Sequence, residues 1–270
     1  RGWEISLGYT PWQSKDGFLN ISGAITTNKN EITKLSESMR AFNELQDKLA
    51  AEYNNTAPVR KYIEGMPLNA IWAVPSQGID PMTGREVFIN RDGKRTYDWS
   101  EKDMVYCGQT DPKYRGTVGF NVEYKGFGLS AYGTYEGGCE YYNYTLVERV
   151  EDANIRVNVD RRVLKGRWTT HGQNALDTTK SASYQLESGV SASAATRLTS
   201  RFVQKRDEFS ISSLNFYYNF SESVARKMRL KRLQLKCSMD NVATFSSIRL
   251  ERGTSYPFAR TLYFTLLATF

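Results

Sequence analysis

Three scarcities narrow the field before any pattern is read. The 270 residues hold one histidine, His171, and three cysteines, Cys107, Cys139 and Cys237. A structural zinc site needs closely paired Cys and His ligands and a disulfide framework needs more cysteines, so both are excluded. One Cys107–Cys139 bridge stays open, because spacing does not show whether two sulfurs meet. No apolar run approaches the ~18 residues of a membrane helix, and mean hydropathy is −0.54. A helical membrane protein is therefore excluded. A membrane β-barrel is not, since alternating strands average to an unremarkable hydropathy. Methionine is missing from the first position, and no charged-then-apolar leader follows Arg1. The chain is expected to be a processed product, a fragment or one piece of a larger protein.

Enzyme signatures are also lacking. No G-x-S-x-G nucleophile motif accompanies His171, which reads as a solvated loop residue. Gly126-Phe127-Gly128-Leu129-Ser130-Ala131 matches a dinucleotide fingerprint in letters only. That fingerprint must lead from a strand into a helix, and here it opens a strand after a tight turn. No enzyme is expected.

Alternation is what the sequence has in quantity. Leu262, Phe264, Leu266, Ala268 and Phe270 interleave with Thr261, Tyr263, Thr265 and Thr269, giving one apolar and one hydroxyl-rich face. At about 10 residues such a strand crosses a tilted bilayer. Six more segments behave alike: Trp3 to Tyr9, Leu19 to Ile25, Val118 to Tyr124, Phe127 to Tyr135, Leu214 to Phe220 and Leu233 to Met239. The links near 13–17, 125–126 and 221–232 are short, whereas 28–113, 138–207 and 245–259 are long. Short turns at one end and long loops at the other are the mark of an outer-membrane barrel. The aromatic share, 13% with 17 Tyr, suits strands and interfacial belts. Because bacterial barrels have even strand counts, seven strands make an incomplete barrel, with the remainder expected before Arg1.

The loops carry their own signals. Ile32, Leu35, Met39, Phe42, Leu45 and Leu49 recur at helical spacing and predict an amphipathic helix packed on other loop segments. The turns Gly78–Gly84 and Asn90–Lys94 bracket Glu86–Ile89 as a small hairpin. Their aspartates raise a calcium reading, but the spacing of an EF-hand loop is missing and no cofactor is expected. Trp72, Trp99, Tyr141, Tyr142, Tyr144, Arg167 and Trp168 are the candidates for facing a substrate or a capping partner, as aromatic rings beside polar groups suit sugars and peptides alike. The basic run Arg226–Arg232 and a net charge of +7 could suggest nucleic acid. In a short turn between membrane strands those cations meet lipid headgroups instead, and no nucleic-acid partner is expected.

Particular stretches then resemble a known family. They are Glu251-Arg252-Gly253-Thr254-Ser255-Tyr256-Pro257-Phe258-Ala259-Arg260 with the strand after it, the Gly-Ile-Asp-Pro-x-Thr-Gly segment at 78–84, and Asp111-Pro112-Lys113-Tyr114. Arg149, Arg161-Arg162-Val163-Leu164 and Arg167-Trp168-Thr169 add to them. Together they resemble the C-terminal part of SusC/RagA-type TonB-dependent outer-membrane transporters, over essentially the whole chain. The resemblance implies an all-β transmembrane antiparallel barrel of about 22 strands, of which this chain is the last part, with 28–113 and 138–207 as long extracellular loops. It implies an N-terminal plug and a TonB-binding segment, neither present here, and a SusD-like lipoprotein over the mouth. It further implies uptake of oligosaccharides or peptides across the bacterial outer membrane. Leu262, Phe264, Leu266 and Phe270 would face lipid, and the chain would pair with the rest of the barrel. Two other classes fit the alternation by itself: a soluble β-rich surface-binding or structural protein, and a barrel subunit of a secretion or assembly complex.

Overall fold

The structure is a computed structural model and describes residues 1–52, 58–151, 160–165, 196–249 and 260–270. Seven long strands form one antiparallel sheet in chain order: β1 (Gly2–Gln13), β2 (Gly17–Asn28), β3 (Tyr114–Tyr124), β4 (Phe127–Tyr142), β5 (Val203–Asn219), β6 (Arg232–Ser246) and β7 (Thr261–Thr269). All seven strands expected from alternation are present, and each pairs with the next along the chain. The sheet is open, with β1 and β7 as its edges.

Several strands outrun their sequence signal because bulges shift the phase of alternation. In β5 the register slips between Ile211 and Ser213, so Phe209 and Ile211 share a face with Leu214 and Phe216 despite the change of parity. In β1 the slip falls at Thr10-Pro11, where the missing proline N–H is tolerated on an edge, and it returns Trp12 to the face of Tyr9. In β4, Gly137 and Gly138 together oppose Asp207, and Gly138 takes φ 70°, a left-handed conformation that glycine adopts freely. The loop expected at 138–207 accordingly starts only after Tyr142 and ends before Val203.

The short connections lie together at one end. Lys125 (φ 50°) and Gly126 (φ 87°) make the two-residue turn that the β3–β4 hairpin twist requires. Lys125 N–H donates to Asp16 O at 2.7 Å and Asn219 N–H to Gly126 O at 2.7 Å, stitching neighbouring turns together. Between β5 and β6 a short helix, Glu222–Lys227, leads into the exposed cations of the 226–232 run, with Arg226 paired to Glu222 at 2.9 Å.

At the opposite end the long connections fold into a body with its own core. The first contributes helix α1 (Glu37–Glu52), a strand pair Ala70–Ala73 with Val105–Gln109, and a three-stranded sheet of Ser76–Ile79, Glu86–Ile89 and Arg95–Thr96. The expected hairpin around Glu86–Ile89 is there, with both bracketing turns in place. Helix α1 starts later than the Ile32 periodicity suggested. Ser36 Oγ accepts the Met39 N–H at 3.3 Å and caps the helix, leaving Ile32 and Leu35 in the preceding segment. The second connection adds Tyr144–Leu146, Val147–Glu151 and Ser200–Phe202, and Val74 bridges Thr199 across the two loops. Val59, Val74, Phe88, Met104, Tyr142, Val147, Leu198 and Phe202 make the shared core. Arg201 is buried at its centre, at 3.2 Å from Glu86 and 2.5 Å from Glu151. Burial alone would lower its pKa, but the two carboxylates outweigh that and hold it above its ordinary value.

Candidate functional site

The two faces of the sheet are chemically opposite, and register fixes both. One face collects Trp3, Ile5, Leu7 and Tyr9 of β1, paired with Thr27, Ile25, Gly23 and Ile21 of β2. It continues through Val118 and Phe120 of β3, Leu129 and Ala131 of β4, Leu214 and Phe216 of β5 and Cys237 and Met239 of β6 to Leu262, Phe264 and Leu266 of β7. The large rings and aliphatics at the edges are exposed, Trp3 at 79% and Phe264 at 76%, while Leu129, Leu214 and Met239 are half-buried. Seven strands ~4.8 Å apart and ~25 Å tall make an apolar area of about 800 Å². Soluble monomers rarely expose more than about 300–600 Å² in one patch, so this face is built for lipid.

Aromatic belts bound that band at both ends. Near the short turns, Trp12 lies 6.0 Å from Tyr124 and Phe127 lies 4.4 Å from Tyr218, which in turn lies 4.8 Å from Phe220. Near the loop body stand Trp3, Tyr114 and the stacked pair Phe209–Phe245 at 6.4 Å. Trp3 and Trp12 are about nine positions apart, ~30 Å along the strand. At a ~40° tilt that becomes ~23 Å along the membrane normal, close to the ~25 Å apolar band of outer-membrane barrels.

The other face is polar, arranged in transverse rows. Nearest the loop body, Glu4, Thr26, Arg115, Glu136 and Glu208 stand side by side on five strands. Arg206 bonds Glu136 at 2.8 Å and Glu208 at 3.3 Å. Below come small residues, Ser6, Ala24, Thr117, Thr134 and Ser210. An amide row follows, Asn20, Asn121, Ser130 and Asn215, in which Ser130 Oγ donates to Asn121 Oδ1 at 2.9 Å. At the short-turn end the Glu123 carboxylate accepts from Tyr217 Oη at 2.8 Å and Asn219 Nδ2 at 3.3 Å. Gln234 Nε2 donates to Asn219 Oδ1 at 2.8 Å and extends this cluster onto β6.

The aromatic loop candidates divide. Trp72 and Tyr142 are buried. The Trp72 indole donates to Lys61 O at 2.9 Å, and the Tyr142 ring meets Phe202 at 5.8 Å, so both rings pack the loop body. Trp99 is half-buried against the same core and donates to Leu198 O at 2.9 Å. Tyr141 and Tyr144 keep accessible surface and, with Tyr142, line a pocket of about 210 Å³ closed by the 58–61 and 68–71 segments. The Gly138 bulge explains why neighbours part: beyond it Tyr141 shares the face of Arg206, which lies 5.8 Å from its ring, while Tyr142 turns into the core. Arg167, Trp168, His171 and most of the 251–260 stretch lie outside the described residues. Cys107 and Cys139 are free thiols that donate to Ala73 O at 3.7 Å and Arg206 O at 3.5 Å. Burial pushes the Cys107 thiol above its ordinary value.

In the hairpin, the Asp80 carboxylate is taken up by its own turn. It accepts from Tyr97 Oη, from the Met82 N–H at 2.9 Å and from Thr83 Oγ1 at 2.8 Å. The Tyr97 hydrogen bond, then that of Met82, holds Asp80 below the ordinary aspartate value, and the Tyr97 pKa is raised in turn.

Comparison with known proteins meets this geometry. No family model matches the chain. It is 23% identical over 265 residues to the TonB-dependent receptor P3 of Formosa agariphila, covering 91% of this chain and 24% of that protein. Among solved structures, the RagAB peptide transporter superposes with a TM-score of 0.67 at 18% identity, over 92% of this chain and 26% of that one. The RagAB peptide importer in its closed-closed state gives 0.67 at 19% identity, over 90% and 25%. The chain has the barrel-wall fold of a SusC/RagA-type TonB-dependent transporter. It spans about a quarter of the length of the relatives it matches.

In a barrel wall of this fold an apolar face meets lipid and a polar face lines the lumen. In bacterial outer-membrane barrels short turns lie at the periplasmic end and long loops at the extracellular one. Leu262, Phe264 and Leu266 lie on the apolar face opposite Met239, Cys237 and Leu235, with Phe270 just beyond β7 and 83% exposed. Arg115, Arg206 and Glu208 of the outermost lumenal row were missed as site residues. Alternation places Arg115 opposite Val118 and Phe120 once β3 is extended to Tyr114, so that signal was within reach. For Arg206 and Glu208 it was hidden, because the Ser212 and Gly138 bulges break the count.

Proposed function

We propose that the chain forms part of the wall and the extracellular loop body of a TonB-dependent importer, which takes up oligopeptides or oligosaccharides with a SusD-like surface lipoprotein seated over the loops. The observation that carries this reading is the pairing of a belted lipid face with a polar lumen face beneath a folded loop body. A protein built only to anchor in the membrane would not need graded polar rows across five strands. The remaining strands would pair with the β1 and β7 edges and close the barrel, leaving no backbone groups unpaired in lipid. A plug and a TonB-contacting segment belong to that remainder. The similar proteins are by name a receptor and transporters.

Purification of the whole protein in mild detergent, followed by identification of the bound chains, tests this reading. It predicts a heat-modifiable barrel with a surface lipoprotein bound in near-equal amount. A barrel that binds neither lipoprotein nor solute would overturn the importer reading.

A further inference from the structure

The outermost lumenal row holds charges of both signs within reach of a single ligand. It lines a groove of about 470 Å³ that includes Glu4, Arg115, Glu136 and Glu208. Glu136 and Glu208 already share Arg206. Among the described residues, Glu4 and Arg115 form no ion pair, although they lie on the same face separated only by Thr26 of β2. The next row along the strands is small and uncharged, Ser6, Ala24, Thr117, Thr134 and Ser210, and Gly116 and Tyr135 complete the groove.

We infer that this groove is a subsite for an extended oligopeptide carrying a carboxylate and an ammonium group, with Arg115 receiving the carboxylate and Glu4 the ammonium. The inference rests on the importer reading and names which of its two substrate classes this wall selects. Spacing supports it. Two strand separations put Glu4 and Arg115 about 10 Å apart, the length of three residues of a polyproline II chain at ~3.1 Å each, whose three-residue turn returns side chains i and i+3 to one side. A peptide lying across the strands therefore meets both charges with side chains three positions apart, or with its two termini when it is short. The hydroxyls of Thr26, Thr117 and Ser210 then supply neutral partners for peptide amides. A neutral oligosaccharide fits less well. It offers the free guanidinium and carboxylate only hydroxyls, which do no better than the water they displace.

The test uses the complete transporter in mild detergent and two capped octapeptides, compared by calorimetry. One carries a lysine and an aspartate three residues apart, and the other has glutamine and asparagine in their place. Wild type should bind the charged peptide about five- to tenfold more tightly, as expected for a partly solvated charge pair at each end. Arg115→Gln should abolish that preference, and Arg115→Lys should restore part of it. Arg115 is exposed, so the barrel should stay heat-modifiable in every variant. Equal binding of the two peptides by wild type, or a preference that survives Arg115→Gln, overturns the subsite and leaves the importer standing. Binding of oligosaccharide but of neither peptide has the same meaning. Binding of neither peptide nor oligosaccharide overturns both readings.

Discussion

The sheet and the loop body use the same side chains in opposite ways. In the sheet the large apolar residues gather exposed on one face, Trp3 and Phe264 among them, and the polar ones on the other. In the loop body Val74, Leu198 and Phe202 are buried and charge is kept at the surface, as in any water-soluble domain. Arg201, buried with Glu86 and Glu151, departs from that rule and is tolerated because both its charged partners are buried with it. The contrast shows two solvents acting on one chain. Lipid removes the penalty for exposed apolar rings below the outer aromatic belt, and water restores it above.

Breaking the sheet should have the largest effect. Deleting Thr261–Phe270 uncovers the β6 edge, whose N–H and C=O groups then have no partner in lipid. Outer-membrane assembly of the whole protein should be lost, as read by surface labelling and by heat-modifiable migration. Normal insertion of the truncation would show that β7 is dispensable to the wall.

Within the loop body the expected effect is next in size. Arg201→Ala leaves two carboxylates buried without their cation, at a cost of about 3–5 kcal/mol. Protease sensitivity should rise in 76–89 and 196–203 while the barrel keeps its heat-modifiable migration. Loss of both together would mean that the two regions are not separable.

A neighbouring pair on β3 sharpens the comparison further. Val118 faces lipid and Thr117 the lumen, so Val118→Arg should cost about 2–4 kcal/mol in folding into lipid vesicles, and Thr117→Arg far less. Equal costs would remove the distinction between the faces.

The smallest effect is a pH dependence confined to the hairpin. Hydrogen bonds hold the Asp80 pKa below its ordinary 3.8. Its contribution is therefore present above that value and is lost as pH falls through the lower folded one. Hydrogen exchange in 76–97 should stay slow down to about pH 4 and quicken only below it. Tyr97→Phe should move that onset upward.

How much of this was legible in the sequence differs between the two regions for a physical reason. A strand with unlike surroundings on its two faces writes them into every second residue, so the seven strands could be read directly. Phase was lost only where Pro11, Ser212 and Gly138 insert bulges. The loop body obeys no such local rule. Its core joins Val59 and Phe88 to Tyr142 and Phe202 across long stretches of chain, and nothing in the spacing of Trp72 or Tyr142 separates a ring that packs from one that binds. The charged row lies between these cases. Glu4, Arg115 and Glu136 alternate correctly within their own strands while the β5 bulge hides Glu208, and only the register brings them into line.

The central claim is that one face of this sheet meets lipid and the other water, and adjacent residues of β7 test it most directly. With Cys107, Cys139 and Cys237 replaced by serine, Phe264→Cys and Thr265→Cys are each placed in the whole protein in outer-membrane vesicles. The vesicles are then treated with a charged and a lipid-soluble maleimide. The account predicts that the cysteine at 264 reacts only with the lipid-soluble reagent and the cysteine at 265 with the charged one. Equal labelling of both by the charged reagent would contradict it.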